Sequence, residues 1–249
     1  MSTTRLVRAE ARKLTTTKLI LGFGAAAVLL SGLVLLGIVI GSQTEGPGAF
    51  VPDTPEIQRQ LLAFGGNALL LGGLLGAVAA AREYARGTAV PMFLVSPRRG
   101  RAMLAQLVAL AVAGGLLGLL GGAIAVGAGA IALPMVDIEL QLGGGELARL
   151  VVGSGVAGLV GAILGVGVGA LLRNTGAAVT VVVLGLMIVP PLLGQLVSEI
   201  ATWTPNVLVN VVSGASEETG VAAAVAALLA WGVVPAVAGV LTVQRRDVV

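Results

Sequence analysis

Neither cysteine nor histidine occurs anywhere in the 249 residues. Their absence removes disulfides, thiolate and imidazole metal ligands, and every Ser-His or Cys-His nucleophile pair. Ser154, between Gly153 and Gly155, therefore has no imidazole base and reads as a small residue at a helix contact. Lysine is confined to Lys13 and Lys18, and no G-x-x-x-x-G-K-[ST] phosphate loop exists. The chain has no means of hydrolysing ATP by itself. Charge is scarce too: Asp, Glu, Lys and Arg make up 11% of the residues, against roughly 25% in soluble domains.

What is abundant is apolar. Hydrophobic residues reach 57% and the mean hydropathy is +1.03, which leaves too little polar surface to cover a water-soluble globule. Six apolar runs stand out, Leu19 to Gly41, Leu61 to Ala81, Met103 to Leu133, Leu150 to Leu172, Ala177 to Val197 and Val221 to Val243. At 1.5 Å per residue, 21 residues already reach roughly 30 Å, the hydrocarbon thickness of a bilayer. The third run, 31 residues long, must tilt, protrude or break near Gly121 to Gly129. The first is too long for the apolar region of a signal peptide and reads as a retained helix.

If all six runs cross, the charges sort by side. One face holds Arg5, Arg8, Arg12, Lys13, Lys18, Arg82, Arg86, Arg98, Arg99, Arg101, Arg173, Arg245 and Arg246, and the other only Arg59 and Arg149. The acids reverse this: Glu10, Glu83 and Asp247 join the cationic face, and the other nine lie opposite. Cationic loops stay cytoplasmic during insertion, so the 13 to 2 split of Lys plus Arg predicts an all-α membrane protein with both termini inside. The expected home is the inner membrane of a bacterium. The cations lie in short segments beside the spans, which argues for anionic lipid headgroups and a cytoplasmic partner rather than nucleic acid.

Residues 1–18 form a cytoplasmic prelude to the six-span domain of 19–249. Arg5, Arg8 and Arg12 recur on one side and Val7, Ala11 and Leu14 on another, the pattern of a helix lying in the headgroup plane. External loops are expected at 42–60, 134–149 and 198–220. The last is half apolar: Pro190 and Pro191 should kink or end the fifth helix, Trp203, Thr204 and Pro205 suit an outer-interface anchor, and Leu208 to Val212 suits a piece that dips back without crossing. Gly114, Gly118 and Gly122 in the third run, and Gly161, Gly165 and Gly169 in the fourth, repeat every four residues and predict close helix packing within the chain.

None of the spans contains an ionisable residue, which argues against a proton-driven pump. Among their few polar side chains, Asn67, Ser31 and Thr180 are candidates for a substrate path, with a helix-to-helix hydrogen bond as the competing use of Asn67. The cytoplasmic segment 82–101 is richer. Arg82-Glu83-Tyr84-Ala85-Arg86-Gly87-Thr88 leads through Met92, Phe93 and Leu94 to Ser96-Pro97-Arg98-Arg99-Gly100-Arg101. A lone acid, a Gly-Thr pair and a Pro-bounded apolar stretch suggest a short helix that fills a partner's groove, with arginines to orient it; the alternative is a solvated positive loop turning at Pro97.

Three features together resemble the permease subunits of type-2 ABC transporters. They are Arg8-Ala9-Glu10-Ala11-Arg12-Lys13 running into the first span, Glu83 to Thr88 followed by Ser96-Pro97-Arg98-Arg99 after the second, and six spans with a long last outer loop holding Trp203-Thr204-Pro205. The resemblance implies an N-terminal helix on the membrane, re-entrant outer helices before the sixth span, and a coupling helix over Glu83 to Arg101. Its interface residues would be Glu83, Tyr84, Arg86, Gly87, Thr88, Met92, Phe93, Pro97, Arg98, Arg99 and Arg101. It also implies two ATP-binding subunits, which would hold the ATP and Mg, and a second permease copy or paralogue. The short turn from Arg173 to Gly176 departs from the family's pattern. Export of a hydrophobic or amphipathic cargo, such as a drug, a lipid-like compound or an antimicrobial peptide, is the expected function. A secondary transporter or channel, and a membrane immunity or scaffold protein, are the alternatives.

Overall fold

The computed structural model describes residues 3–43, 51–85, 87, 99–216 and 218–245. Every regular element among them is helical: α1 (Thr3–Thr16), α2 (Lys18–Gln43), α3 (Pro55–Gly66), α4 (Ala68–Ala85), α5 (Arg99–Met135), α6 (Gly144–Leu172), α7 (Thr175–Val183), a π-helical turn (Leu184–Ile188), α8 (Val189–Leu196), α9 (Ser198–Ala201), α10 (Pro205–Ser213) and α11 (Val221–Arg245). Six helical stretches are long and apolar enough to cross a membrane. They follow the six runs of the sequence.

The fourth span, α6, is the axis of the bundle. Of its apolar window 72% is buried, against 19% for the first span and 22% for each of the fifth and sixth. Its composition explains this position. A Cβ added at Gly161 or Gly165 would strike the α4 backbone at Leu69 and Gly73. One added at Gly158 would strike Gly114 of α5, and one at Gly167 would strike Pro235 of α11. Three neighbours thus approach one glycine-lined rod at backbone distance. Lipid supplies no hydrophobic drive between helices, so this close packing is what holds them. The stripe Gly114, Gly118 and Gly122 faces α6 in the same way, meeting Gly158 and Ser154. Both repeats serve contacts within the chain.

The third run resolves as one unbroken 37-residue helix. At 1.5 Å per residue it is about 55 Å long, so it outruns the hydrocarbon layer rather than breaking near Gly121 to Gly129.

The second run is the one that breaks. Asn67 takes a left-handed φ of 33° between α3 and α4. The preceding Gly65 and Gly66 give the helix little reason to continue, and asparagine tolerates that backbone region better than most residues.

Two ends are defined by side-chain pairing. At one, Lys13 meets Glu83 and Arg173 meets Tyr84. At the other, Arg59 Nε lies 3.1 Å from Glu146 Oε1, and Gln58, fully buried, staples two connections together. Gln58 Nε2 donates to the carbonyls of Pro52 and Glu139 at 3.0 and 2.9 Å, and its Oε1 accepts the N–H of Gln141 at 3.0 Å.

Candidate functional site

The cationic end is assembled from four elements. In α1, Arg5, Arg8 and Arg12 are exposed while Leu6, Val7, Glu10 and Leu14 turn inward. Leu14 joins an apolar cluster with Ala27, Leu71 and Leu110. Glu10 is inward because Lys13 claims it: Nζ lies 2.6 Å from Glu10 and 3.0 Å from Glu83 in the last turn of α4. Burial alone would lower the Lys13 pKa, but the hydrogen bond to Glu10 and the charges of Glu83 and Glu10 outweigh it and hold the ammonium above its ordinary range. Next along α4, Tyr84 rests its hydroxyl 4.0 Å from Met103 Sδ of α5. Its ring lies under the guanidinium of Arg173, 5.1 Å from the centroid, a cation–π arrangement.

Arg173 sits in the two-residue turn between the fourth and fifth spans. It adopts a left-handed φ of 52°, donates its N–H to Gly169, and is followed by Asn174, whose side chain caps α7 by accepting the N–H of Ala177 at 3.0 Å. The guanidinium Nε and Nη2 are buried with no hydrogen-bond partner among the described residues. The turn is too short to reach far, so its contribution is this one stacked cation.

Of the predicted interface residues, the structure brings Glu83 and Tyr84 into this junction. Gly87 closes a turn at φ 69°, its N–H 3.1 Å from the Tyr84 carbonyl. Arg99 begins α5 and Arg101, two residues on, is exposed. Arg86, Thr88, Met92, Phe93, Pro97 and Arg98 lie outside the described residues.

The three predicted path residues are not brought together. Ser31 is fully buried and its hydroxyl donates to the Gly121 carbonyl at 3.3 Å, tying α2 to α5. Thr180 is exposed on the flank of α7. Asn67, at the break in the second span, lines a cavity of about 170 Å³ with Leu69, Leu186, Met187, Asn206 and Asn210. Three amide side chains in an apolar wall suit a neutral polar group.

Asn206 and Asn210 were not singled out in the sequence, although a signal for Asn206 exists there. Pro190 and Pro191 bring no N–H to the preceding turn, which frees carbonyls in the fifth span; Asn206 Nδ2 donates to the Leu186 carbonyl at 2.7 Å. The prolines do not end the helix. A π-helical turn precedes them and α8 carries on to Leu196.

The level of α10 follows from its contacts. Trp231 Nε1 donates to the Trp203 carbonyl at 3.0 Å, and Trp231 is ten residues into α11, about 15 Å along the axis at 1.5 Å per residue. Leu186 lies a similar distance along the fifth span. The start of α10 is therefore level with the middle of two spans, and its C-terminus returns to the end of the bundle, where Arg149 Nη2 and Nε reach the Val211 and Val212 carbonyls at 3.1 and 3.4 Å.

No protein-family model matches this chain, and no curated protein matches it.

Proposed function

We propose that this chain is the membrane-spanning permease subunit of an ATP-driven exporter of the type-2 ABC class, seated in a bacterial inner membrane with both termini cytoplasmic. It works with a second permease copy or paralogue and two ATP-binding subunits, which supply ATP and Mg. The observation that carries this reading is the Glu10–Lys13–Glu83 bridge. It joins the basic N-terminal helix to the end of the second span, so a push on segment 82–101 would move α1, α4 and the start of α5 as one body. ATP binding would close the partner subunits together, the loop would pass that movement to the helices, and an outward path would open between permeases. The α9 and α10 segment, with its start level with mid-span, would be the re-entrant outer element. Spans free of ionisable residues suit a hydrophobic or amphipathic cargo.

The test is co-purification and turnover. Arg98→Ala and Glu83→Gln should each lower ATPase activity of the assembled complex or release the ATP-binding subunit. Unchanged assembly together with unchanged turnover would end the coupling role.

One observation favours a second reading, a secondary transporter. Broken helices near mid-membrane hold the binding sites of such proteins, and Asn67 breaks the second span beside a largely apolar cavity that also holds Asn206 and Asn210. Uptake by liposomes containing this chain alone, without ATP, would decide for that reading and against the first.

A further inference from the structure

Thr17 is the only residue between α1 and α2, and the elbow it makes leaves an open groove of about 440 Å³. One end of the groove is cationic, formed by Lys18 and by Arg82 from the last turn of α4. The rest is apolar and runs down α2 along Leu19, Gly22, Phe23 and Ala26. From Lys18 to Ala26 is about 12 Å of helix, descending from the headgroup level into the hydrocarbon. No carboxylate lines it. The nearby acids, Glu10 and Glu83, belong to the adjoining cavity of about 290 Å³ and are held there by Lys13. Among the described residues neither Lys18 nor Arg82 forms an ion pair, although Arg82 also borders the adjoining cavity with Glu10 and Glu83, so each is available to an incoming anion.

We infer that this groove binds one anionic phospholipid, its phosphate held between Lys18 and Arg82 and an acyl chain laid along Gly22, Phe23 and Ala26. The chemistry selects this occupant. Two cations without an ion-pair partner among the described residues suit an anion, the apolar floor suits a hydrocarbon tail joined to that anion, and the flank of α2 is open, with Leu21 and Leu29 each more than 70% exposed. Gly22 lines the groove and faces open space, a Cβ built there meeting nothing within 4 Å, so a large side chain at this position would occupy the groove. A lipid wedged at the elbow would fix the angle between α1 and the first span, and so the stance of the Lys13 bridge. The inference rests on the chain spanning a membrane, and not on its being an ATP-coupled exporter.

The experiment uses the purified full chain, delipidated in detergent, titrated with phosphatidylglycerol, with phosphatidylcholine and with inorganic phosphate, and read by native mass spectrometry and thermal shift. Phosphatidylglycerol should bind at one molecule per chain and raise the melting temperature, while phosphatidylcholine should bind at least about tenfold more weakly. The double variant Lys18→Gln, Arg82→Gln should lose that preference. Gly22→Leu, which fills the tail slot while keeping both cations, should lose retention of the lipid. Arg5→Gln with Arg8→Gln, on the exposed face of α1, should change neither. Equal binding of phosphatidylcholine, full retention by Gly22→Leu, or an equal loss in the α1 variant would overturn the inference. A thermal shift reproduced by inorganic phosphate alone would overturn it as well, by marking a site for a free anion rather than a lipid. Should the double variant fold poorly, Gly22→Leu still decides.

Discussion

Arg59 and Arg149 are the two cations on the acidic side of the chain, and each has a structural use. Arg59 is paired with Glu146 and Glu56. Arg149 grips the last carbonyls of α10, where a positive charge also meets the negative end of the helix dipole. Hydrogen bonds from charged groups contribute roughly 1.5–3 kcal/mol, so Arg149→Ala should destabilise the detergent-solubilised protein by about 2 kcal/mol, measured as a drop in melting temperature. Arg149→Lys, which keeps the charge but loses the planar fork, should recover only part of it. A coupled pair lies deeper. If Asn206 serves the Leu186 carbonyl because the prolines leave that turn short of donors, Asn206→Leu should cost about 1–3 kcal/mol. Restoring an N–H with Pro190→Ala should relieve part of that cost, and additive losses in the double-mutant cycle would refute the link.

At the scale of the element, glycine decides which helices touch. Gly165→Leu would drive a side chain into the α4 backbone at Gly73 and Ala77, where nothing can give way. Overpacking of this kind costs typically 1–3 kcal/mol, and the variant should lose monodispersity on size-exclusion chromatography. Gly127→Leu, at an exposed position of α5 with nothing within 4 Å of the added Cβ, should elute as the parent does. The stripes were legible because a four-residue repeat of glycine puts all its members on one helix face. Span number and approximate limits were legible for the same kind of reason, since hydrocarbon thickness sets a length that composition must meet. The break at Asn67 was not legible: an apolar run with Gly-Gly-Asn inside it reads as continuous helix when only hydropathy is followed. Nor was the outer staple, because Gln58 bonds to Glu139 and Gln141, some 80 positions away, and no local pattern encodes such a meeting. Asn67 stands out in the sequence as a polar side chain inside an apolar run, whereas its cavity partners Asn206 and Asn210 lie in the half-apolar segment 198–220, where a polar residue carries no such signal.

At the scale of the molecule, the lopsided charge of the segments that connect the six spans is the basis of the proposed orientation. If all six spans cross, thirteen of the fifteen cations belong to segments on one side, and basic loops are retained on the cytoplasmic side during insertion. The chain offers an unusually clean way to check this, because it has no cysteine of its own and each introduced thiol reports a single position. Arg101→Cys at the start of α5 and Glu218→Cys before α11 are both exposed in the structure and lie at opposite ends of the bundle. In intact cells a membrane-impermeant maleimide should label residue 218 and leave residue 101 unlabelled, and in inverted membrane vesicles the pattern should exchange. Reversed labelling would invert the orientation while leaving the six spans intact, and would place segment 82–101 where no cytoplasmic ATP-binding subunit could reach it. Labelling of both positions from the same side would be worse for the argument, since an even number of crossings between residues 101 and 218 cannot be reconciled with α5, α6 and the fifth span each traversing the bilayer once.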